Sequence, residues 1–160
     1  MENAIQTNQN TGMLKLLALA TMLVDHIGAV LFPQAVWLRI IGRVSYPLFA
    51  YCMALGGYFT HDLWSYAKRL LCLGIVSQPV YVLCFGGSWL DLNIFFTLLA
   101  GLLGIFCIQK RRYWGNVVLA GLVIAFWDIG SFSYGAMGVA LIWVFYLCLN
   151  SRIKTVVFAG

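Results

Sequence analysis

Long apolar runs separated by short polar stretches are the main pattern of this chain. Six runs approach the roughly 20 residues that a helix needs to cross a bilayer. Proline, glycine or charged residues separate them. The pattern therefore predicts an all-α, polytopic bundle of about six transmembrane helices. The predicted spans are residues 14–32, 44–59, 70–85, 92–108, 114–127 and 134–149.

The polar stretches at the two ends define the domain organisation. Residues 1–13 are rich in Asn, Gln and Thr, and they are predicted to form a disordered, polar cytoplasmic tail. Residues 14–149 are predicted to form one transmembrane domain, and residues 150–160 a short cytoplasmic tail. Between the spans, residues 36–43 are predicted to be a connector and residues 61–69 a polar loop.

Composition agrees with a membrane environment. Apolar residues make up 62% of the chain and charged residues 9%, whereas a typical soluble domain carries about 25% charged residues. Such a chain cannot cover a water-facing surface, so the lipid bilayer is its predicted solvent. The net charge of +5 lies mostly in short clusters between the spans, which argues against a nucleic-acid partner. Five cysteines lie inside apolar runs without a CxxC motif, as expected of small buried hydrophobes.

The basic clusters predict the orientation. Residues 68–69, 110–112 and 152–154 carry Lys and Arg in alternate connections. The positive-inside rule places these connections, and both termini, in the cytoplasm. Arg39 and Arg43 fall on the opposite side by this count. An arginine on the disfavoured side suggests a specific role.

Several polar residues lie where a bilayer disfavours them. A charged residue at mid-bilayer costs roughly 2.5–3.5 kcal/mol on insertion scales, so it normally faces the bundle interior. Helical rise places Asp25 and His26 of the first span in its outer half. Arg39 and Arg43 enter the second span from the same side. The predicted topology adds further polar residues to this outer group, namely Asp91, Asn93, Asp128 and Tyr134.

This group indicates acid–base chemistry or anion binding. His26 is a candidate general base. Asp25 lies about 100° round the helix from it, so Arg43 or Arg39 is its predicted partner. An arginine there suits a carboxylate, a phosphate or an oxyanion. The alternatives without a catalytic or binding role are a structural ion pair for Asp25, a buried, hydrogen-bonded histidine for His26 and interhelical hydrogen bonding for Asn93.

Five stretches, spread over residues 14–146, resemble the signature of the TraX family. The best-known members of this family are conjugation proteins that N-acetylate the pilin subunit. Each stretch alone is a weak pattern in an apolar chain, whereas five in the same order are specific. The stretches are LKL at 14–16 with MLVDHIG at 22–28, RIIGR at 39–43 running into YPLFA at 46–50, RL at 69–70 through SQP at 77–79, LNIFFT at 92–97, and SYG at 133–135 with Gly138.

The resemblance implies a membrane-bound acetyltransferase in the bacterial cytoplasmic (inner) membrane. Its donor would be acetyl-CoA, and its acceptor the N-terminal amine of pilin, or an envelope glycan or small acceptor. No metal is expected. The resemblance also implies that family members continue with further helices beyond residue 160. The implied catalytic residues are His26, Asp25 and Arg43, and the implied substrate-binding residues are Asn93, Tyr134 and Arg39.

Two other classes of function fit the same residues. A small solute or proton-coupled transporter would use Asp25, His26 and Arg43 as a relay. A non-catalytic subunit of a pilus or secretion assembly would need none of them for chemistry. Dependence on an acyl donor separates the acetyltransferase from both.

Overall fold

A computed structural model describes residues 2–60, 62–86, 88–129 and 134–159. These residues form helices and connections without a strand, which confirms the all-α fold class. The helices are α1 (Glu2–Val30), α2 (Val36–Gly42), α3 (Ser45–Phe59), α4 (Leu63–Phe85), α5 (Ile94–Gln109), α6 (Tyr113–Ile129) and α7 (Gly135–Ala159).

Most of the helices are longer than the apolar runs that predict them, whereas α3 and α5 are each one residue shorter. α1 begins at Glu2, where the polar composition predicts a disordered tail. α2 occupies the predicted connector, and α4 begins at Leu63 inside the predicted loop. His61 lies outside the described residues. The predicted and observed helix starts differ because a polar residue on an exposed helix face does not end a helix. A change in hydropathy therefore does not mark a helix boundary.

The start of α4 has a clear local cause. Asp62 is its N-cap, and its carboxylate accepts hydrogen bonds from the backbone N–H of Ser65 at 3.1 Å and from the Ser65 hydroxyl at 2.5 Å. These bonds lower the pKa of the Asp62 carboxyl below its ordinary value, the side-chain bond most strongly. The ionised carboxylate also suits the positive end of the helix dipole. Lys68 and Arg69 consequently lie on helix α4 and not in a loop.

Two of the helices are long and apolar enough to cross a membrane. They are the segment Thr11–Val30 of α1 and the whole of α4, Leu63–Phe85. α5 and the segment Gly135–Ser151 of α7 are apolar but shorter. Many large apolar side chains on these helices are exposed, among them Leu23 on α1 and Leu83 on α4, the latter 84% exposed.

The chain divides into two compact units, residues 1–52 and 53–160, with the boundary inside α3. In the first unit α1 packs on α2 through two glycines. A side-chain carbon added at Gly28 would lie 2.7 Å from Cβ of Leu38. One added at Gly42 would lie 2.6 Å from Cα of Asp25. Because these glycines have no side chains, α1 and α2 can pack closely at these two positions.

The second unit is built around α5, which packs against α4, α6 and α7. Its buried residues include Leu98, Leu102 and Ile105. Gly101 lies against Ile142 of α7, and the indole N–H of Trp143 donates to the Gly101 carbonyl at 3.2 Å. The absence of a side chain at Gly101 therefore permits close packing of α5 against α7.

The end of α5 meets the end of α3 within the same unit. Nε2 of Gln109 donates to the carbonyl oxygen of Gly57 at 2.8 Å. Gly57 lies in the last turn of α3, where carbonyls have no partner within the helix. α4 begins only a few residues after α3 ends. The C-terminal ends of α3 and α5 and the N-terminal end of α4 therefore lie at one end of this unit.

The five cysteines are free thiols. Cys52 is buried, whereas Cys72, Cys84 and Cys148 are exposed and Cys107 is half-buried. The expectation of small buried hydrophobes is therefore right for Cys52 and wrong for the three exposed cysteines. Helix faces that carry exposed leucine and valine carry these cysteines as well.

Candidate functional site

Asp25 and His26 lie just over one turn before the end of α1, and both are half-buried. Asp25 lies directly against Gly42 on α2: Oδ1 of Asp25 would be 2.7 Å from a side-chain carbon added at that glycine. The carboxylate is therefore held at the contact between α1 and α2. A glycine at position 42 is required for this arrangement.

His26 bonds within its own helix. Its Nδ1 lies 2.8 Å from the carbonyl oxygen of Met22, one turn earlier. Because a carbonyl only accepts, Nδ1 carries the hydrogen of this bond. In the neutral ring Nε2 then bears the lone pair. This hydrogen bond thus assigns the tautomer in which Nε2 is the basic nitrogen.

Arg39 and Arg43 lie on α2 and at its C-cap, with exposed side chains. Within the described part of the chain, no hydrogen bond or ion pair joins either guanidinium to Asp25. The predicted pair is therefore not formed here. The reason is geometric: Gly42 occupies the position that faces Asp25, and Arg43 lies about 100° further round. Both arginines remain near the Asp25 contact along the chain.

Asn93 belongs to the second unit, where it is the N-cap of α5 and 3% exposed. Its Nδ2 donates to the carbonyl of Gly74 and to the hydroxyl of Ser77, both at 2.9 Å. Its Oδ1 accepts the backbone N–H of Phe95 at 3.0 Å. The side-chain amide is thus fully used inside the protein, as interhelical bonding predicts. Its role as a donor to substrate stays a prediction.

Gln78 completes the network around Asn93. Its Oε1 accepts the backbone N–H of Asn93 at 3.2 Å, and its Nε2 donates to the carbonyl of Asp91 at 2.7 Å. Gln78 immediately precedes Pro79, which lies inside α4 and has no N–H to donate. Gln78 is not among the site residues predicted from the sequence. The available signal is the polar pair Ser77–Gln78 within an apolar run.

Replacing Asn93 with alanine should destabilise the protein by about 1–3 kcal/mol, because the buried partners of its amide lose their hydrogen bonds. Thr97, one turn later on α5, is a matched control: it is 0% exposed, and its hydroxyl has no hydrogen-bond partner among the described residues. Thr97→Val should leave stability unchanged or raise it. Thermal unfolding of both variants in detergent measures the difference. Equal losses would contradict the network.

Tyr134 precedes α7 and is half-buried. Contacts advance together along α5 and α7: Gly101 meets Ile142, and Gly104 meets Trp143. The two helices therefore run in the same direction. Asn93 lies eight residues before Gly101, and Tyr134 lies eight residues before Ile142. Asn93 and Tyr134 therefore lie at the same end of neighbouring helices.

The six predicted site residues thus fall into two groups. Asp25, His26, Arg39 and Arg43 lie in the first unit, around the contact of α1 with α2. Asn93 and Tyr134 lie in the second unit. Convergence of the two groups on one site stays a prediction, and the side chain of Asp128 lies outside the described residues.

Comparison with known proteins adds an independent finding. The profile of the family described as TraX protein matches residues 10–159. Protein TraX of Escherichia coli is 30% identical over 135 residues, which cover 83% of this chain and 54% of that protein. Uncharacterized protein RP591 of Rickettsia prowazekii is 25% identical over 145 residues, 88% of this chain and 56% of the relative.

A third relative is the probable fimbrial assembly protein FimC, serogroup H1, of Dichelobacter nodosus. It is 27% identical over 112 residues, 61% of this chain and 46% of that protein. The chain thus spans about half the length of the curated relatives it matches. No solved structure matches. The family profile, which covers nearly the whole chain, shows that this protein belongs to the TraX family.

Proposed function

We propose that this protein is an integral membrane acyltransferase. It transfers an acetyl group from acetyl-CoA to the N-terminal amine of pilin, or to a glycan or small acceptor of the envelope. His26, Asp25 and Arg43 are its catalytic residues, and Arg39, Asn93 and Tyr134 contribute to substrate binding. It is a multi-pass protein of the bacterial cytoplasmic membrane with both termini in the cytoplasm.

Membrane insertion is supported by the exposed surface of the helices. Leu16, Leu23, Val76 and Leu83 are each more than 60% exposed on helices that are long enough to span. Leaving such side chains in water forfeits about 25 cal/mol for each Å² of apolar surface. In a helical segment the backbone groups are bonded internally, so hydrocarbon can surround these faces without a penalty from unpaired amides.

The observation that carries the proposed chemistry is the arrangement of Asp25 against Gly42 and of His26 against the carbonyl of Met22. The bond from Nδ1 of His26 to the carbonyl of Met22 leaves Nε2 as the basic nitrogen. A base with a defined tautomer suits removal of a proton from an attacking amine. Asp25, its neighbour on α1, is the second member of the proposed catalytic pair.

In the proposed reaction, the acceptor amine attacks the thioester carbonyl, so a C–N bond forms and the C–S bond of acetyl-CoA breaks. His26 accepts the proton that the amine loses and returns it to the departing CoA thiolate. The exposed guanidinium of Arg43 stabilises the negative charge on the carbonyl oxygen during attack. Arg39 contributes a second cation on the same short helix.

In this proposal Asn93 acts by holding neighbouring helices in place. Its amide joins α4 to the start of α5, at the same end of the second unit as Tyr134. Holding that end in one arrangement keeps Tyr134 in place for the acceptor. Preorganisation of this kind is how residues outside the reacting atoms affect rate.

The test uses the full chain in nanodiscs with radiolabelled acetyl-CoA. One acceptor is a peptide with a free N-terminal alanine, and its control is the same peptide with a blocked N-terminus. Label on the free peptide alone is the expected result. Equal labelling of both peptides would exclude the N-terminal amine as acceptor. The absence of label and of CoA release would overturn the acyltransferase proposal.

A further inference from the structure

We propose that one end of the second unit binds the phosphate groups of anionic phospholipids. The inference rests on the proposed membrane location and not on the acetyl-transfer chemistry. The binding surface, called here the basic belt, consists of Lys68 and Arg69 on α4 and Lys110, Arg111 and Arg112 between α5 and α6. All five side chains are exposed.

The fold brings the two parts of the belt to the same end. The bond from Gln109 to Gly57 places the end of α5 beside the end of α3. α4 begins at Leu63, four residues after α3 ends at Phe59. Lys68 and Arg69 lie in the second turn of α4. Residues 110–112 follow Gln109 directly, so both parts lie near the same end of the unit.

Each part carries a lysine above an exposed aromatic ring. Nζ of Lys68 lies 5.8 Å from the ring centre of Trp64, which is 60% exposed. Nζ of Lys110 lies 5.8 Å from the ring of Phe106, which is 37% exposed. In both pairs the aromatic residue precedes the lysine by one helical turn. Because α4 begins and α5 ends at this end, Lys110 lies beyond Phe106, whereas Lys68 lies one turn further from the end than Trp64 and reaches back over its ring. Aromatic rings paired with long cationic side chains in this way are typical of a membrane interface.

Arg111 lies in a conformation that favours glycine. Its φ is +53°, and the backbone N–H of Arg112 bonds the carbonyl of Cys107 at 2.9 Å. This is the bond pattern of a helix C-terminus whose left-handed residue is usually glycine. An arginine here costs backbone free energy that a glycine would avoid. Arg111 therefore occupies a position whose local conformation favours glycine.

The belt suits several lipid head groups better than one nucleotide. Its cations lie near two separate helix ends, the start of α4 and the end of α5. The aromatic partners of the two lysines lie on exposed helix faces. Asp62, an acid at this end, accepts hydrogen bonds from Ser65 and also attracts Lys68, which contributes to its lowered pKa. Asp62 thus offsets part of the charge of Lys68, and the other four cations of the belt are also exposed. Phosphate-bearing lipids in the adjoining leaflet are the partners of complementary charge.

The experiment titrates the full chain in neutral detergent with dioleoyl-phosphatidylglycerol and, separately, with dioleoyl-phosphatidylcholine. Native mass spectrometry counts the bound lipids. We expect phosphatidylglycerol to bind at least about a hundredfold more tightly, since the belt has five cations and each cation near a lipid surface contributes about a fivefold factor. Arg111→Gly should reduce the preference about fivefold, and Lys68→Gln with Lys110→Gln about twenty-fivefold.

Arg111→Gly also separates binding from folding. Glycine suits the left-handed position, so this variant should unfold at the same or a higher temperature while its lipid preference falls. Lys15→Gln, which removes one exposed charge on α1 outside the belt, should leave the preference unchanged. Equal affinity for the two lipids would overturn the proposal. So would competition in which CoA displaces the bound phosphatidylglycerol. No acyl donor enters the titration, so its outcome is independent of the acetyl-transfer assay.

Discussion

His26→Ala should lower the rate of acetyl transfer by about 10²–10⁴-fold, the usual contribution of a positioned general base. The reason is the loss of Nε2, which the bond from Nδ1 to Met22 leaves as the basic nitrogen of the neutral ring. Transfer of label from acetyl-CoA to the free-amine peptide, measured at saturating donor, gives the rate. The bond lost with the imidazole lies within one helical turn of α1, so the helix itself persists.

Met22→Leu is the matched control for this variant. The acceptor of the His26 bond is the backbone carbonyl of residue 22, so a change of its side chain leaves that bond in place. This variant should keep most of its activity. Unfolding temperatures of both variants close to that of the unchanged protein would show that the fold persists. Full activity in a folded His26→Ala protein would assign the histidine a structural role and favour another base.

The apolar runs predict where helices lie better than where they begin. α3 begins within one residue of the predicted span and ends with it, because polar residues and a short connection bound it. α4 begins seven residues before its predicted start. The N-cap of Asp62 with Ser65 determines that start, and this cap is readable in the sequence. Hydropathy alone misses it because Lys68 and Arg69 lie on an exposed helix face.

The partner of Asp25 shows what a sequence pattern leaves open. Charge complementarity predicts Arg43 or Arg39, yet Gly42 lies against Asp25. A glycine gives no polar signal, and its role depends on the rotation of α2 about its axis. That rotation follows from packing between Gly28 and Leu38, which no local pattern encodes.

Asn93 and Gln78 show the complementary case. Each is visible in the sequence as a polar residue in an apolar setting. Their pairing depends on the register of α4 against α5, which the connection at residues 86–93 and the left-handed Gly86 determine. The sequence therefore predicts that both residues need partners, while the helix register decides that they bond each other.

The polar pair on α1 depends on close packing more than on charge pairing. Asp25 meets the backbone of α2, and His26 bonds its own helix. Neither contact uses an arginine of the described residues, so Arg39 and Arg43 keep their exposed guanidinium groups. Contacts within α1 and with α2 thus hold Asp25 and His26, while Arg39 and Arg43 stay accessible. Accessible arginines suit binding of an anionic donor or stabilisation of an oxyanion.

Gly42→Ala should therefore damage both stability and activity. The added methyl would lie 2.6 Å from Cα of Asp25 and 2.7 Å from its Oδ1, well inside van der Waals contact. A backbone atom cannot turn aside as a flexible side chain does, so α1 and α2 must move apart. Overpacking of this kind costs about 1–3 kcal/mol. A shift of about 1 Å at Asp25 and His26 can itself reduce the rate about 10²-fold.

Gly12→Ala tests whether this effect is specific to the helix contact. Gly12 also lies in α1, and an added side-chain carbon there meets nothing within 4 Å. Alanine is the better helix former, so this change should leave the unfolding temperature unchanged or raise it. Unfolding temperature and acetyl transfer are measured for both variants in the same nanodiscs. If Gly42→Ala behaves like Gly12→Ala, the close contact of α2 with Asp25 does not exist in the folded protein. A lower unfolding temperature with unchanged transfer would instead separate the helix contact from the chemistry, because the methyl would then strain the fold without displacing the base.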